Sequence, residues 1–342
     1  MALIIKEKVS LAPYTTFKLG GLARFYCSVN TEDELVEACQ FAREKDLQIF
    51  ILGGGSNILI SGKGFNGLVI RMRIKGITIE EKESGAVCVT AAAGELWDDL
   101  VEKTVSEGIY GLENLSAIPG TVGAAPVQNI GAYGAEVSET IIEVRAFHIP
   151  TLTFVQLSKA ECGFSYRDSV FKHDKGKYVI TRVYFGLFKN GKVNTSYREV
   201  QQYFAEKEIA EPTLQEVRDA VIDIRWGKLP DWKLWGTAGS FFKNPVISAV
   251  AFAELKKRYP DLPGFPEPDD RVKVSLGWIL DKVCNVKGLC VGNVCVYEKQ
   301  ALVLVAKPGA TSEEVVKLAQ DLMKAVKEKT GIDIEGEVEW VN

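Results

Sequence analysis

Residues 118–134 read IPGTVGAAPVQNIGAYG: Gly120, Gly123, Gly131 and Gly134 spaced by small apolar residues, with Gln128 and Asn129 as amide donors and no charged side chain. A backbone this bare can turn its N–H groups towards an anion with no Cβ in the way. A shorter segment of the same kind, Gly53, Gly54, Gly55, Ser56 and Asn57, follows directly on the apolar run Gln48–Leu52. Neither segment fits the Walker pattern or the GxGxxG fingerprint, which excludes a P-loop NTPase and an ordinary Rossmann enzyme. Each alone also reads as a tight turn between strands. Two of them, the longer one uncharged, point to a phosphate-bearing cofactor.

Outward from these turns the chain alternates strand and helix signals. Thr31 with Glu34, Thr213 with Glu216 and Thr311 with Glu314 have capping-box spacing and predict helices from residue 32 to about Lys45, beyond Thr213, and from Thr311 to Gly331. A fourth helix is predicted over Glu95–Glu107. Gln48–Leu52, Leu68–Arg71, Val87–Ala92, Ile141–Phe147 and Tyr178–Phe188 read as strands. Asn190-Gly191 reads as a hairpin turn, and the Pro- and Asp-rich stretch Pro260–Arg271 as a long surface loop. The final Asp333–Val341 alternates acid and apolar residues, as one strand would. There is no regular βα repeat, so the pattern favours α+β over a doubly wound sheet.

At 342 residues the chain exceeds one ordinary core, which implies two or three domains. Its formal charge of −4 gives no basic face for nucleic acid. The start MALIIKEKVS has no signal-peptide pattern, and no run of about 18 apolar residues suggests a membrane span. Seven cysteines, an odd number and mostly isolated, without a CxxC pair, fit reduced thiols in a cytosol. With only His148 and His173 besides, no zinc pattern forms and a Ser-His-Asp triad has few candidates.

The residues that could do chemistry are modest when read alone. Arg167, in Ser165-Tyr166-Arg167-Asp168, could grip a carboxylate through its planar fork, or simply pair with Asp168 on the surface. Ser240, in Gly239-Ser240-Phe241-Phe242-Lys243-Asn244-Pro245, is not in a GxSxG elbow and has no nearby histidine. It suits proton donation better than nucleophilic attack, and also suits a plain turn. The acids Asp333, Glu335, Glu337 and Glu339 share one strand face, which periodicity alone assigns to solvent. Tyr197 and Lys228 stand out in no way.

Taken together the motifs carry a resemblance that runs nearly end to end. TFKLGG near Phe17, GGGSN at Gly53, GLENLSAIPGTVGAAPVQNIGAYG ending at Gly134 and CGFSYRDSVFK around Arg167 are followed by KLPD at Lys228. GSFFKNP at Ser240, LGWILD at Trp278, QALVLV at Gln300 and Glu337-Val338 complete the series. The chain resembles the UDP-N-acetylenolpyruvoylglucosamine reductase (MurB) family, first type, flavoenzymes of bacterial peptidoglycan precursor synthesis.

The resemblance implies a two-domain FAD-binding module of the vanillyl-alcohol-oxidase (PCMH) type and a smaller α+β substrate-binding domain. The matching divisions are 1–73 with 332–342, then 74–229, then 230–331. FAD, held non-covalently, would lie against Gly53, Gly54, Gly55, Ser56 and Asn57, against Ile118, Pro119, Gly120, Thr121, Gly123 and Ala124, and against Asn129, Gly131, Ala132, Tyr133, Gly134 and Ile180. Tyr197, Lys228, Asn244 and Gln300 match substrate positions. Arg167, Ser240 and Glu337 match the catalytic set: enolate stabilisation by Arg167 and Glu337, and a proton from Ser240. NADPH and UDP-N-acetylglucosamine enolpyruvate are the implied partners of a cytoplasmic monomer that needs no metal. One departure stands out, since Glu339 occupies a place where members often carry Arg. Two alternatives remain: an FAD-dependent oxidase of the same fold and a non-catalytic nucleotide-binding regulator. Neither histidine lies in a glycine-rich segment to tether a flavin, and the intact catalytic set speaks against a regulator.

Overall fold

Each of the three capping pairs opens a helix in the computed structural model, which describes residues 3–342. Thr31 Oγ1 accepts from the Glu34 amide at 3.1 Å ahead of Glu32–Glu44. The Glu216 carboxylate accepts from the Thr213 amide at 2.7 Å, and Leu214–Lys228 follows. Thr311 and Glu314 form a complete box before Ser312–Thr330, which stops at Gly331 in the left-handed region (φ 77°). The fourth helix is Trp97–Ser106, a little shorter than the apolar pattern suggests.

The chain packs into two units. The first holds residues up to Val9, Ala23–Gly55 and Phe65–Gly227; the second holds Ser10–Leu22, Ser56–Gly64 and Lys228–Asn342. In the first unit a four-stranded sheet has the order Lys6–Ser10, Leu22–Val29, Phe65–Met72, Ile49–Leu52. Leu22–Val29 and Ile49–Leu52 both run parallel to Phe65–Met72, and Glu32–Glu44 is the crossover between them. Leu68, Val69 and Ile70 are wholly buried, as expected of a strand covered on both faces.

The same unit contains a five-stranded antiparallel sheet ordered Thr153–Ser158, Ile141–His148, Tyr178–Phe188, Ala86–Ala92, Ile77–Glu81. Helix Trp97–Ser106 buries Trp97, Leu100 and Val101. The Trp97 indole lies edge-on to Phe185 and donates to the Leu115 carbonyl at 2.8 Å, so its one polar atom is satisfied in the core. Helix Glu32–Glu44 is tied to this sheet by Glu32. Its carboxylate accepts from Arg145 at 3.0 and 3.1 Å and from the Thr181 hydroxyl at 2.8 Å.

The second unit has its own core, in which Phe17, Leu59, Phe242, Leu276 and Ile279 pack with Val315, Leu318 and Leu322 of helix Ser312–Thr330. Around it lie two three-stranded antiparallel sheets. One is ordered Val246–Ser248, Arg271–Val274, Gly264–Glu267; the other is ordered Cys290–Val291, Val294–Val296, Leu304–Ala306. The final strand Glu339–Val341 runs parallel to Ile58–Ile60. Among the described residues no helix is long and apolar enough to cross a membrane.

Four local expectations change. The stretch read as a loop over Pro260–Arg271 contains the edge strand Gly264–Glu267, paired with Arg271–Val274. Pro266 is tolerated there because an edge strand can spare an N–H, and Asp269 and Asp270 turn the chain at φ 59° and 52°. Asn190-Gly191 makes no hairpin; Gly191 instead lies against Tyr110, where an added Cβ would come within 2.5 Å of the tyrosine's own Cβ. The C-terminal alternation is not one strand, because only Glu339–Val341 pairs. Ile332 and Ile334 are buried, yet beyond Gly336 it is Val341 that is buried while Trp340 is exposed, so the parity slips by one. Finally, Cys290 and Cys295 form a disulfide because strand register sets them opposite each other, while Cys27, Cys39, Cys88, Cys162 and Cys284 stay thiols.

Candidate active site

In the first unit the two glycine-rich segments meet backbone to backbone. Gly53 and Gly54 leave the carboxyl end of the parallel strand Ile49–Leu52, the end at which open α/β sheets take ligands. A Cβ on Gly53 would lie 2.7 Å from Thr121 Oγ1, and one on Gly54 would lie 2.7 Å from Gly120 Cα. Gly120 has φ 136°, open only to glycine, and its carbonyl accepts from the Trp97 amide at the start of a helix. Gly123 packs the turn Val122–Ala124 onto Ala93, where a Cβ would come within 2.5 Å of the Ala93 Cβ, and its amide donates to the Ala93 carbonyl. The Ala93 amide donates in turn to Thr181, next to the buried Ile180. Ala124 lies against Gly53, half-buried Ile118 joins the core, and Pro119 stays exposed.

The far end of the long segment is a hairpin. Gly131–Ala132 pairs with Ala135–Glu136 around Tyr133 (φ 49°) and Gly134 (φ 80°), a turn whose two left-handed residues match the strand twist. Arg167 comes to this hairpin: Nη2 donates to the Gly131 carbonyl at 2.7 Å and Nη1 reaches the Asn129 carbonyl at 3.5 Å. A Cβ on Gly131 would stand 3.0 Å from Nη1, so the glycine makes room for the cation. Arg167 itself sits at φ 55°, in a Ser165–Asp168 turn, with its carbonyl accepting from Lys172 at 2.9 Å. Asp168 accepts from His173 at 2.6 Å.

Asn129 is wholly buried and its carboxamide serves the fold, binding Glu136, the Ser165 carbonyl and the Ser138 amide. Tyr197 is brought to the same hairpin, its ring edge-on to Tyr133 at 5.5 Å and its Cβ beside Gly134. Two residues that sequence reading passed over hold this corner. Buried Asn114 donates to the carbonyls of both Tyr133 and Asn194, at 2.9 and 2.8 Å. Arg225 hydrogen-bonds Tyr133, whose phenol burial pushes up to about 12. Their signals were present: two polar residues, Glu113 and Asn114, between Leu112 and Leu115, and an arginine four places after Val221 on an apolar helix face.

In the second unit the GSFFKNP stretch runs between two segments. Ser240 bridges Val303 on one side, and Phe242 bridges Gly336 on the other. The Glu337 amide donates to the Phe241 carbonyl at 2.8 Å, so Ser240 and Glu337 both flank Phe241. Asn57 donates to the Glu337 carbonyl at 3.2 Å, and the Glu339 amide donates to the Asn57 carbonyl at 3.0 Å. Ser56 also falls in this unit. Asn244 Oδ1 accepts from the Leu276 amide and caps the short turn Leu276–Trp278, while Gln300 Oε1 accepts from Leu302. Lys228 is the last residue of helix Leu214–Lys228.

Main-chain turns stripped of Cβ atoms, ending at a hairpin with Arg167 and Arg225 beside it, fit a flat, phosphate-bearing cofactor such as FAD. Residues 23–155 match the FAD binding domain family, and the fold is an FAD-binding flavoprotein of the PCMH type with a further C-terminal domain. Residues 231–341 match the family described as UDP-N-acetylenolpyruvoylglucosamine reductase, C-terminal domain. Curated relatives named UDP-N-acetylenolpyruvoylglucosamine reductase align nearly end to end. That of Neisseria gonorrhoeae is 44% identical over 98% of this chain and 97% of its own. Those of Chromobacterium violaceum and Pseudomonas aeruginosa are 41% and 40% identical, each over 98% of this chain and 99% of its own. The crystal structure of the reductase (MurB) from Thermus caldophilus has the same fold, with TM-score 0.69 at 24% identity over 99% of this chain and 100% of that one. The chain belongs to the UDP-N-acetylenolpyruvoylglucosamine reductase family: it is an FAD-containing oxidoreductase of peptidoglycan precursor synthesis.

Proposed function

We propose that the chain reduces UDP-N-acetylglucosamine enolpyruvate to UDP-N-acetylmuramate with NADPH, as a cytoplasmic monomer, with Arg167, Ser240 and Glu337 as its catalytic residues. Bound FAD would supply the hydride relay between NADPH and the terminal methylene carbon of the enolpyruvyl group, held by the main-chain turns at Gly53, Gly54, Gly120 and Gly123. The observation that carries the reading is the seat of Arg167 on the Gly131 carbonyl, which fixes a permanent cation on the segment that matches the FAD-binding domain. Negative charge grows on the carbon next to the carboxylate and on the carboxylate itself. A guanidinium held in advance at that charge stabilises it without reorganising. Glu337 polarises the same carboxylate. Ser240 holds the proton that the second carbon takes up; a hydroxyl is a weak acid, but transfer to a carbanion-like enol runs downhill.

Tyr197, Lys228, Asn244 and Gln300 bind the nucleotide, with the diphosphate on the first three. FAD would be held by residues within 1–73 with 332–342 and within 74–229, and 230–331 would be the substrate-binding domain, with Tyr197 and Lys228 reaching the nucleotide from 74–229. The test is stopped-flow kinetics on Ser240→Ala. Flavin reduction by NADPH should keep its rate, and reoxidation by the enolpyruvyl nucleotide should slow by about 10²–10⁴-fold, the range of a general acid. Reoxidation at the unaltered rate would remove Ser240 from the reaction.

A further inference from the structure

We propose that Cys290 and Cys295 form a reversible thiol–disulfide exchange site, open to small disulfides and to thiol reductants through Cys290 alone. The hairpin Cys290–Val291 and Val294–Val296 turns on Gly292 (φ 58°) and Asn293, with Val291 opposite Val294 and Cys290 opposite Cys295. Backbone pairing therefore brings the two sulfurs together in either oxidation state, and ring closure is an intramolecular step between partners already in place. The bond adds little as a structural staple. It closes a loop with a sequence separation of only 5, and so short a loop removes the least chain entropy from the unfolded state.

The two sulfurs are unlike. Cys290 is exposed on the edge strand, and Lys307 Nζ lies 3.7 Å from its Sγ, a cation that favours thiolate and hence nucleophilic attack. Cys295 is only 5% exposed, packed with Val303 and Val305, and can react only with a group already on Cys290. No other cysteine offers this combination: Cys27, Cys39, Cys162 and Cys284 are buried and Cys88 is half-buried.

The steps balance. The Cys290 thiolate attacks a disulfide RSSR, forms a mixed disulfide and releases RS⁻. The Cys295 thiolate then attacks the Cys290 sulfur of that mixed disulfide and releases a second RS⁻. The protein gives up two electrons, RSSR becomes two RSH once the protons are returned, and thiols in excess reverse both steps.

The experiment equilibrates the FAD-loaded full chain in glutathione buffers of graded GSH to GSSG ratio, quenches with an alkylating agent, and weighs the peptide spanning Cys290 and Cys295. The expected result is a smooth exchange between a doubly alkylated dithiol and an internal disulfide across the series, in the folded protein. Cys295→Ser should stop at one glutathione on Cys290, and Cys290→Ser should take up none on Cys295. Lys307→Met should slow disulfide formation several-fold at neutral pH and leave the hairpin folded. Two free thiols at the most oxidising ratio, or an intact bond at the most reducing one, would overturn the proposal. So would glutathione on Cys295 in Cys290→Ser.

Discussion

At the scale of single residues the site depends on atoms that are missing. A Cβ on Gly54 would run into the main chain of Gly120, which cannot swing aside as a flexible side chain would. Gly54→Ala should therefore yield folded protein that purifies with little flavin, read from the ratio of flavin to protein absorbance; a full complement of FAD would contradict the packing. Arg167 makes the complementary case. Its fork spans the Gly131 and Asn129 carbonyls, which a lysine's point charge cannot reproduce. Arg167→Lys should leave flavin reduction by NADPH near its normal rate and slow reoxidation by the nucleotide by about 10²–10³-fold, the usual effect of losing one stabilising donor. The glycines were legible in sequence because only a few backbone geometries demand them. Asn129 was legible as a member of the segment but not as a buried bracket, since its partners Ser165 and Ser138 are set by tertiary structure. Asn114 and Arg225 were missed for the same reason.

Among elements, helix ends and one half-buried ion pair carry the testable energetics. Thr311 satisfies the Glu314 amide at the start of a helix whose Val315, Leu318 and Leu322 fill the second core. Thr311→Ala should cost about 1 kcal/mol, the usual value of such a cap, and lower the thermal midpoint. Glu32 anchors its helix to Arg145 and Thr181. Burial would raise its pKa, but the hydrogen bonds from Arg145 and Thr181, with the nearby cations, win and leave it below the ordinary carboxylate value of 4.5. A group held lower in the folded state stabilises the fold above its unfolded pKa, and that contribution disappears as pH falls through the folded value. Glu32→Gln should thus be less stable than the parent chain in urea at neutral pH, with the gap closing below the ordinary carboxylate range. A gap that persists in strong acid would deny the ion pair its role. Helices were read well from their caps because capping is local chemistry. The last strand was misread because Gly336 shifts the parity of a pattern that looks unbroken in sequence, and the edge strand at Pro266 was hidden by a proline that only an edge can accept.

For the whole molecule, two cores and a cofactor set the terms. FAD binds the folded chain and not the unfolded one, so stripping it should lower the thermal midpoint and adding it back should restore it; saturation a hundredfold above Kd is worth about 2.7 kcal/mol. The α+β class was visible in the mixed order of elements, and the two glycine segments stood out as close-packed turns. The reaction itself was not visible in composition or periodicity, because the proposed catalytic residues Arg167, Ser240 and Glu337 are far apart in the chain and each is ordinary by itself. Only the order of whole motifs, and then full-length relatives, identified it. The most direct measurement is anaerobic NADPH oxidation by the purified, FAD-loaded chain with UDP-N-acetylglucosamine enolpyruvate added in known amount. The expected result is one NADPH consumed for each enolpyruvyl nucleotide, with UDP-N-acetylmuramate as product. NADPH that remains unoxidised beyond the flavin's own two electrons whatever amount of nucleotide is added, and is consumed only once oxygen is admitted, would contradict the assignment.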